Sequence, residues 1–441
     1  MNERPHLRLP HPLILLLAAV AVAAALTWLL PAGDYNRRDD PATHRNVVVA
    51  GTYHSVSRAP VGPFAAAVAI PRGFVEAAEV IAVVLLVGGA WVVIDRLGTL
   101  GRLVAALVAS FRHRGLIAIP VVSLFFATMG ALENMQEEII PLIPVLLVLG
   151  RGLGIDAISV VAMSAGAAMI GSAFGPTNPF QAGIAMKLAQ LPATSGGALR
   201  LAMFVVALVL WIAWTTRHAA KTRSPAITPT ADADPTGGVS TKDVLILLLV
   251  ISPMAAYVYG SLALGWGFNE LAAGFLVAGM IAGVWGGLGL ERTTLAYLEG
   301  MQSLLPAAML IGVARSISLV LADGHVIDTI LQALATPLGH ASSAVAALLM
   351  IPAQGIVHVF VPSVSGQAVL TMPVFVPLSD LLGLSRQVTV LAYQMGAGLT
   401  ELLTPTNGAL MAVLLAAGVP YQKWVRFAVV GVGIVLLVGV A

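Results

Sequence analysis

The chain states one pattern twice. A hydrophobic segment broken by Pro-Thr-Asn occurs as "GSAFGPTNPFQAGIAM" and again, 229 residues later, within "LTELLTPTNGALMAVL". At that fixed offset Pro144 falls on Pro373, Gly154 on Gly383, Pro176 on Pro405, Thr177 on Thr406 and Asn178 on Asn407. Proline removes an amide donor and stops an α-helix. In lipid, the backbone groups freed by such a break must be met by protein, water or a ligand. One triplet alone is explained by a proline kink whose Asn and Thr serve the local backbone. Two in register point instead to a site built from paired, interrupted helices, the arrangement of many secondary carriers.

Composition makes lipid the solvent. The 441 residues are 58% hydrophobic and 10% charged, with a mean hydropathy of +0.93, where soluble chains carry roughly 25% charged residues. Such a chain cannot cover a water-facing surface. The formal charge of +2 is scattered, so no nucleic-acid-binding patch is present. With no cysteine, disulfides, thiolate metal sites and cysteine nucleophiles are excluded. The first apolar run, 13–30, is long for a signal peptide and is expected to remain as a helix.

A helical span needs about 20 apolar residues. Spans are expected at 13–30, 74–94, 156–190 (interrupted), 199–215, 242–260, 268–288, 300–321, 385–418 (interrupted) and 425–441. Two stretches, 115–150 and 339–382, are too long for one span, and "ALENMQEE" and "VPSVSGQA" divide them. Each is either two spans or a re-entrant hairpin. If both are re-entrant, five crossings separate each element from its copy and the repeat is inverted; otherwise the halves are parallel. Amphipathic pieces, 100–114 and 324–335, precede both stretches. With the amino terminus inside, most Lys and Arg fall on the inner side. The 31–73 loop, with Arg37, Arg38, Arg45, Arg58 and Arg72, runs against that bias. A stretch rich in Pro, Thr, Ala and Gly (215–243) reads as a flexible linker between the halves.

Several residues carry candidate chemistry. Freed carbonyls at the breaks, with Gly175, Thr177, Asn178, Thr404, Thr406 and Asn407, suit a monovalent cation. Sodium is the candidate, at Asn178 and Asn407, and no other cofactor is expected. The half-helices beyond the breaks offer positive amino-terminal ends to an anionic substrate group. Glu133, Asn134, Gln136, Glu137 and Glu138 make the first turn acidic. Carboxylates deep in a membrane are costly and usually functional, though an ordinary exposed loop would also tolerate them. Pro362, Ser363, Ser365, Gly366 and Gln367 make the second turn small and polar. Arg315 lies mid-span, as a partner for a substrate carboxylate or a neighbouring Glu. Glu401, one turn before the second break, is an ion ligand, a proton relay or a structural acceptor. His358, seven residues before Ser365, raises an intramembrane serine hydrolase, against which stands the lack of a Gly leading "SVSG".

These residues lie in segments such as "EEIIPLIPVLLVLGRGLGIDAISVVAMSAGAAMIGSAFGPTNPF", "GVARSISLVLADGHVIDTIL" and "LAYQMGAGLTELLTPTNGALMAVLLAAGVPYQKW". From about residue 8 to 430 the chain resembles the YfcC-type branch of the DcuC-like anaerobic dicarboxylate carriers, in the ion transporter superfamily. The resemblance implies an all-α polytopic membrane protein of the bacterial inner membrane. It implies an inverted repeat with two re-entrant hairpins, two broken transmembrane helices, and usually a homodimer working as an elevator. The scaffold would comprise 1–114 and 242–337. The mobile part would comprise 115–216 (hairpin 115–150, broken helix 156–190) and 338–441 (hairpin 339–382, broken helix 385–418), with 217–241 as linker. Family substrates are four-carbon dicarboxylates, basic amino acids or peptides. The sodium-coupled relatives carry Ser-Asn-Thr where this chain has Pro-Thr-Asn. The reading is a secondary carrier, not an enzyme, for a small organic anion or amino acid, driven by Na+ or H+. A four-carbon dicarboxylate carrier and a cation/proton antiporter are the alternatives. The acidic first turn tips the balance towards an amine-bearing substrate.

Overall fold

Long apolar runs can close their backbone hydrogen bonds in lipid only as helix, and the chain is accordingly mostly helical. The computed structural model describes residues 11–41, 45–103, 106, 115–176, 178–192, 195–223, 239–264 and 266–440. Among these, 10 helical segments are long and apolar enough to cross a membrane.

The amino-terminal half contains α1 (Pro12–Leu29), α2 (Pro63–Glu76), α3 (Ala78–Arg96), α4 (Ala118–Glu133), a 3-10 segment at Glu137–Leu142, and α5 (Ile143–Leu153). It continues with α6 (Ala157–Phe174), α7 (a π turn, Pro179–Gly183, running into Ile184–Leu188) and α8 (Gly197–Lys221). The other half contains α9 (Thr241–Ala263), α10 (Phe268–Gly286), α11 (Gly289–Asp323), α12 (Ile327–Leu338), α13 (Ser343–Phe360), α14 (Val364–Leu381), α15 (Arg386–Glu401), α16 (Gly408–Ala416) and α17 (Tyr421–Val440).

The structure departs from the expected spans at several places. The 31–73 segment is not simply a loop. β1 (Gly33–Asp34) pairs with β4 (His54–Ser55), β2 (Arg37–Asp40) pairs with β3 (Arg45–Val48), and α2 follows. These strands are tethered to α12: Tyr35 N and Arg37 both donate to Asp328. The expected 74–94 span is two helices interrupted at Ala77. Its counterpart 300–321 lies inside a continuous helix of 35 residues. Residues 217–221, assigned to the linker, continue α8. Positions 224–238 of the linker, and 104–105 and 107–114 of the first amphipathic piece, lie outside the described residues.

Ion pairs fix the directions of the repeated elements. Arg72 of α2 meets Asp323 at the end of α11 (2.5 Å), and Arg96 at the end of α3 meets Glu299 in the first part of α11 (2.5 Å). The α2–α3 unit therefore runs antiparallel to α11. Arg386, opening α15, donates to the carbonyl of Ala189 just past α7 (3.0 Å), so the second broken helix starts where the first one ends. Both hairpins bring their outer ends together: Gly115 lies against the Leu153 carbonyl, and Ser343 donates to Leu382 O (2.6 Å).

Small residues let these helices approach closely. A Cβ on Gly130 would lie 2.0 Å from Ala168 O, and one on Gly171 would lie 2.0 Å from Ala127 O. Only glycine fits at that crossing of α4 and α6. Within α6 a π turn at Ala162–Gly166 loosens the ladder. Trp211 of α8 takes up the Ala162 carbonyl (2.9 Å). At one end of the molecule Ser240 and Asp243 form the capping box of α9. Arg102 hydrogen-bonds Asp243 there, and with help from Ser240 and Thr99 it holds that carboxyl below the usual carboxylate range despite burial.

Candidate functional site

The first break, Gly175 to Asn178, is an interior polar hub. Asn178 Oδ1 caps α7 by accepting from Phe180 N and Gln181 N (3.0 Å each). Its Nδ2 donates to Gly130 O (3.2 Å), Asn134 Oδ1 (3.0 Å) and Ser172 Oγ (3.0 Å). Asn134 terminates α4 in the left-handed conformation (φ 59°), which turns the chain at the hairpin tip. The carbonyl of Gly175 accepts from Arg200 (3.3 Å) and Gln394 (3.1 Å). Arg200 is 1% exposed, and its charge faces the carbonyl end of α6, where the helix dipole favours a cation. Sequence reasoning passed over Arg200, Gln181 and Gln394. Arg200 stands at the start of the 199–215 span.

At the second break, Leu402 to Asn407, Asn407 Oδ1 caps α16 through Leu410 N (3.1 Å) and its Nδ2 meets Glu401 O (3.5 Å). Thr404 and Thr406 share a hydrogen bond (2.8 Å), and Thr406 donates to Val359 O at the end of α13 (2.8 Å). Trp424 and Tyr421 of α17 meet the freed carbonyls of Leu402 and Leu403. The side-chain oxygens of Asn178 and Asn407 both serve as helix caps, because a proline-broken helix exposes amide donors that need an acceptor. Among the described residues no group of three or more His, Asp or Glu is arranged to hold a metal ion.

Both hairpin tips and the second break face one cavity of about 490 Å³. Asn134, Gln136 and Glu137 enter it from the first tip; Pro362, Ser363 and Ser365 enter from the second. Glu401, Thr406 and Asn407 line it from the break. The opposite wall is α2, α3 and α11, with Glu76, Glu79 and Arg315. Arg315 Nε and Nη2 both bind Glu76 Oε2 at 2.9 Å. The two side chains remain 42% and 40% exposed. Glu79 accepts from Asn269 (3.0 Å).

Other expected site residues do not line this cavity. Glu138 is buried and its carboxylate accepts from Gln136 N (3.0 Å), shaping the tip. Gly175, Asn178 and Thr404 are packed within the protein. Gly366 donates its N–H to Ser363 Oγ (3.3 Å), capping α14. Thr177 and the side chain of Glu133 lie outside the described residues. Asn178 and Asn407, equivalent in sequence, have different surroundings: Asn178 is enclosed and Asn407 lines the cavity. Glu76 and Glu79 were missed. Their signal was available, since two carboxylates stand at the start of an apolar run, but the interruption at Ala77 between them has no proline to mark it.

His358, fully buried in α13, does not serve Ser365. Its Nδ1 meets Gln367 Oε1 (2.9 Å), and its Nε2 faces Glu401 Oε1 at 3.8 Å. Gln136 Nε2 of the first tip donates to the other Glu401 oxygen (2.7 Å).

A family model described as DcuC, C4-dicarboxylate anaerobic carrier, matches residues 9–441. YfcC of Escherichia coli, provisionally named a basic amino acid antiporter, is 27% identical over 97% of this chain and 94% of its own length. An uncharacterized Haemophilus influenzae protein is 28% identical over 98% and 95%. Among solved structures, the Alcanivorax borkumensis YdaH transporter aligns over 98% of this chain and 97% of its own, at 19% identity and a TM-score of 0.44. Neisseria gonorrhoeae MtrF aligns over 98% and 94%, at 17% identity and a TM-score of 0.40.

Proposed function

From the premise that this chain belongs to the DcuC family of C4-dicarboxylate anaerobic carriers, and is a multi-pass membrane transporter, we propose that it carries an amino acid with a positively charged side chain. The observation that carries this reading is the charge of the cavity. Glu76, Glu79, Glu137 and Glu401 line it against one basic residue, Arg315. Two like charges 4 Å apart repel by about 4 kcal/mol at an effective dielectric of 20. A dicarboxylate brings two negative charges to four carboxylates and one guanidinium. A basic amino acid instead lets the Arg315–Glu76 pair exchange partners: its α-carboxylate goes to Arg315 and its side-chain cation to Glu76 or Glu79. With the cation on Glu76, both members of the original pair keep a partner through that exchange. A substrate with no cation strands Glu76. The provisional name of the Escherichia coli relative agrees with this choice.

Transport on this reading is an elevator cycle in the inner membrane, in a homodimer. The hairpins are re-entrant, and α4–α8 with α13–α17 move against α1–α3 and α9–α12. Uptake of radiolabelled lysine by proteoliposomes, competed by arginine, norleucine and succinate, tests the substrate class. Displacement by arginine but not by succinate is expected. Displacement by succinate alone would replace the amino acid with a dicarboxylate.

A further inference from the structure

We propose that Glu401 and His358 together form a one-proton site, and that a proton and the substrate cation occupy Glu401 alternately, so that the carrier exchanges one for the other. The inference rests on the cation-accepting reading of the cavity.

The argument begins with an amide. Gln367 Nε2 donates to Gln354 O (2.8 Å) and Gln354 Oε1 (2.7 Å). One acceptor is a backbone carbonyl, which fixes which end of the Gln367 amide is nitrogen. Its Oε1 therefore faces His358 Nδ1 at 2.9 Å, and Nδ1 must carry hydrogen. In the neutral ring Nε2 then holds a bare lone pair. That atom is fully buried, has no hydrogen-bond partner, and faces Glu401 Oε1 at 3.8 Å. If Glu401 is ionised, two acceptors confront each other. One proton, on either atom, satisfies both.

Three elements meet at this pair: His358 belongs to α13, Glu401 ends α15 at the second break, and Gln136 of the first tip holds the other carboxylate oxygen. Glu401 is 4% exposed but lines the cavity, so an ammonium group can reach it. The remaining charged groups around the cavity are Glu137 on the first tip, with Glu76, Glu79 and Arg315 across from it. From α17, Tyr421 is engaged with Leu403 O. From α14 and α16 the nearest polar groups are Gln367 and Asn407, neither titratable. A proton and the α-ammonium group of lysine each cancel the same single charge of Glu401. Binding of one expels the other, no net charge moves, and the cycle is electroneutral proton–cation exchange.

Two measurements test this on the full-length protein. Infrared difference spectroscopy of substrate-free protein in nanodiscs follows protonated carboxyl groups as pH rises. Wild type is expected to lose a carboxyl band that Glu401→Gln lacks and whose midpoint His358→Gln displaces. An identical titrating band in both variants would overturn the proton site whatever the substrate proves to be. In weakly buffered detergent with a pH-sensitive dye, lysine is expected to release about one proton per molecule bound. Release should vanish in Glu401→Gln, and a pH gradient should drive lysine uptake by wild type. Full proton release by Glu401→Gln, or uptake driven by a sodium gradient and not by a pH gradient, would overturn the exchange. A Glu401 band that titrates as expected in a protein that ignores lysine would leave the proton site standing and remove the substrate class. Glu401→Asp, which keeps the carboxylate, controls for loss of fold and should retain a titrating band.

Discussion

Asn178 and Asn407 occupy equivalent positions in the sequence and different positions in the energetics. Asn178 is completely buried and bonds five neighbours, three through its amide nitrogen and two through its oxygen. Each buried partner left unsatisfied costs about 1–3 kcal/mol. Asn178→Ala is therefore expected to lower the thermal midpoint of the purified protein and its yield. Asn407→Ala removes one cap at the cavity wall and should cost less stability but reduce uptake by about tenfold or more, the equivalent of about 1.4 kcal/mol. Parallel thermal melts and uptake assays check the pair; equal effects of both variants on both measurements would refute the asymmetry. At Arg315 and Glu76 the issue is selectivity. Glu76→Gln should weaken lysine uptake by about tenfold while changing uptake of a neutral amino acid much less. An equal loss for both substrates would assign Glu76 to folding.

Helix elements depend on two kinds of contact that composition does not display. One is close approach. Gly171→Ala would place a Cβ 2.0 Å from the Ala127 carbonyl, and forcing α4 from α6 should cost about 1–3 kcal/mol. Gly433→Ala, in α17 with nothing within 4 Å of the new Cβ, should stay within about 0.5 kcal/mol. Thermal melts of the two variants decide the matter. The other kind is charged ties at helix ends. Because Arg102 lowers the pKa of Asp243 in the folded state, that tie contributes stability above the ordinary carboxylate value of about 4. The contribution is lost as pH falls towards the depressed folded value. Asp243→Asn should therefore destabilise the protein at neutral pH and flatten the acid limb of its stability profile. An unchanged acid limb would show that Asp243 is not its source.

For the molecule as a whole, the decisive relation is that the broken helices run in opposite directions. With no native cysteine, Arg151→Cys and Ser385→Cys, each at a hairpin-to-helix connection, are clean reporters for impermeant maleimides in right-side-out and inverted vesicles. They should label from opposite sides. Labelling from the same side would contradict the antiparallel arrangement of the two halves. The 229-residue offset made the duplication legible without coordinates, and an odd crossing number made inversion one of two readings. Arg386 on Ala189 and Arg72 on Asp323 are the contacts that set the directions.

The sequence by itself determined the solvent, the repeat and the two places where Pro-Thr-Asn breaks a helix. Hydrophobicity and proline act locally, through backbone satisfaction, and need no partner to be read. It also marked Glu137, Arg315 and Glu401 as charged groups costly in lipid, and Ser363 as part of a small, polar turn. Only the tertiary structure decided which of the repeated groups share a cavity. It enclosed Asn178 behind Arg200 and Gln394, opened Asn407 to the site, and brought Glu76 and Glu79 to face both hairpin tips. It also set His358 opposite Glu401, 43 positions later in the chain. Burial and long-range contact depend on which helix faces follow which, and two identical triplets can be told apart only by what packs against them.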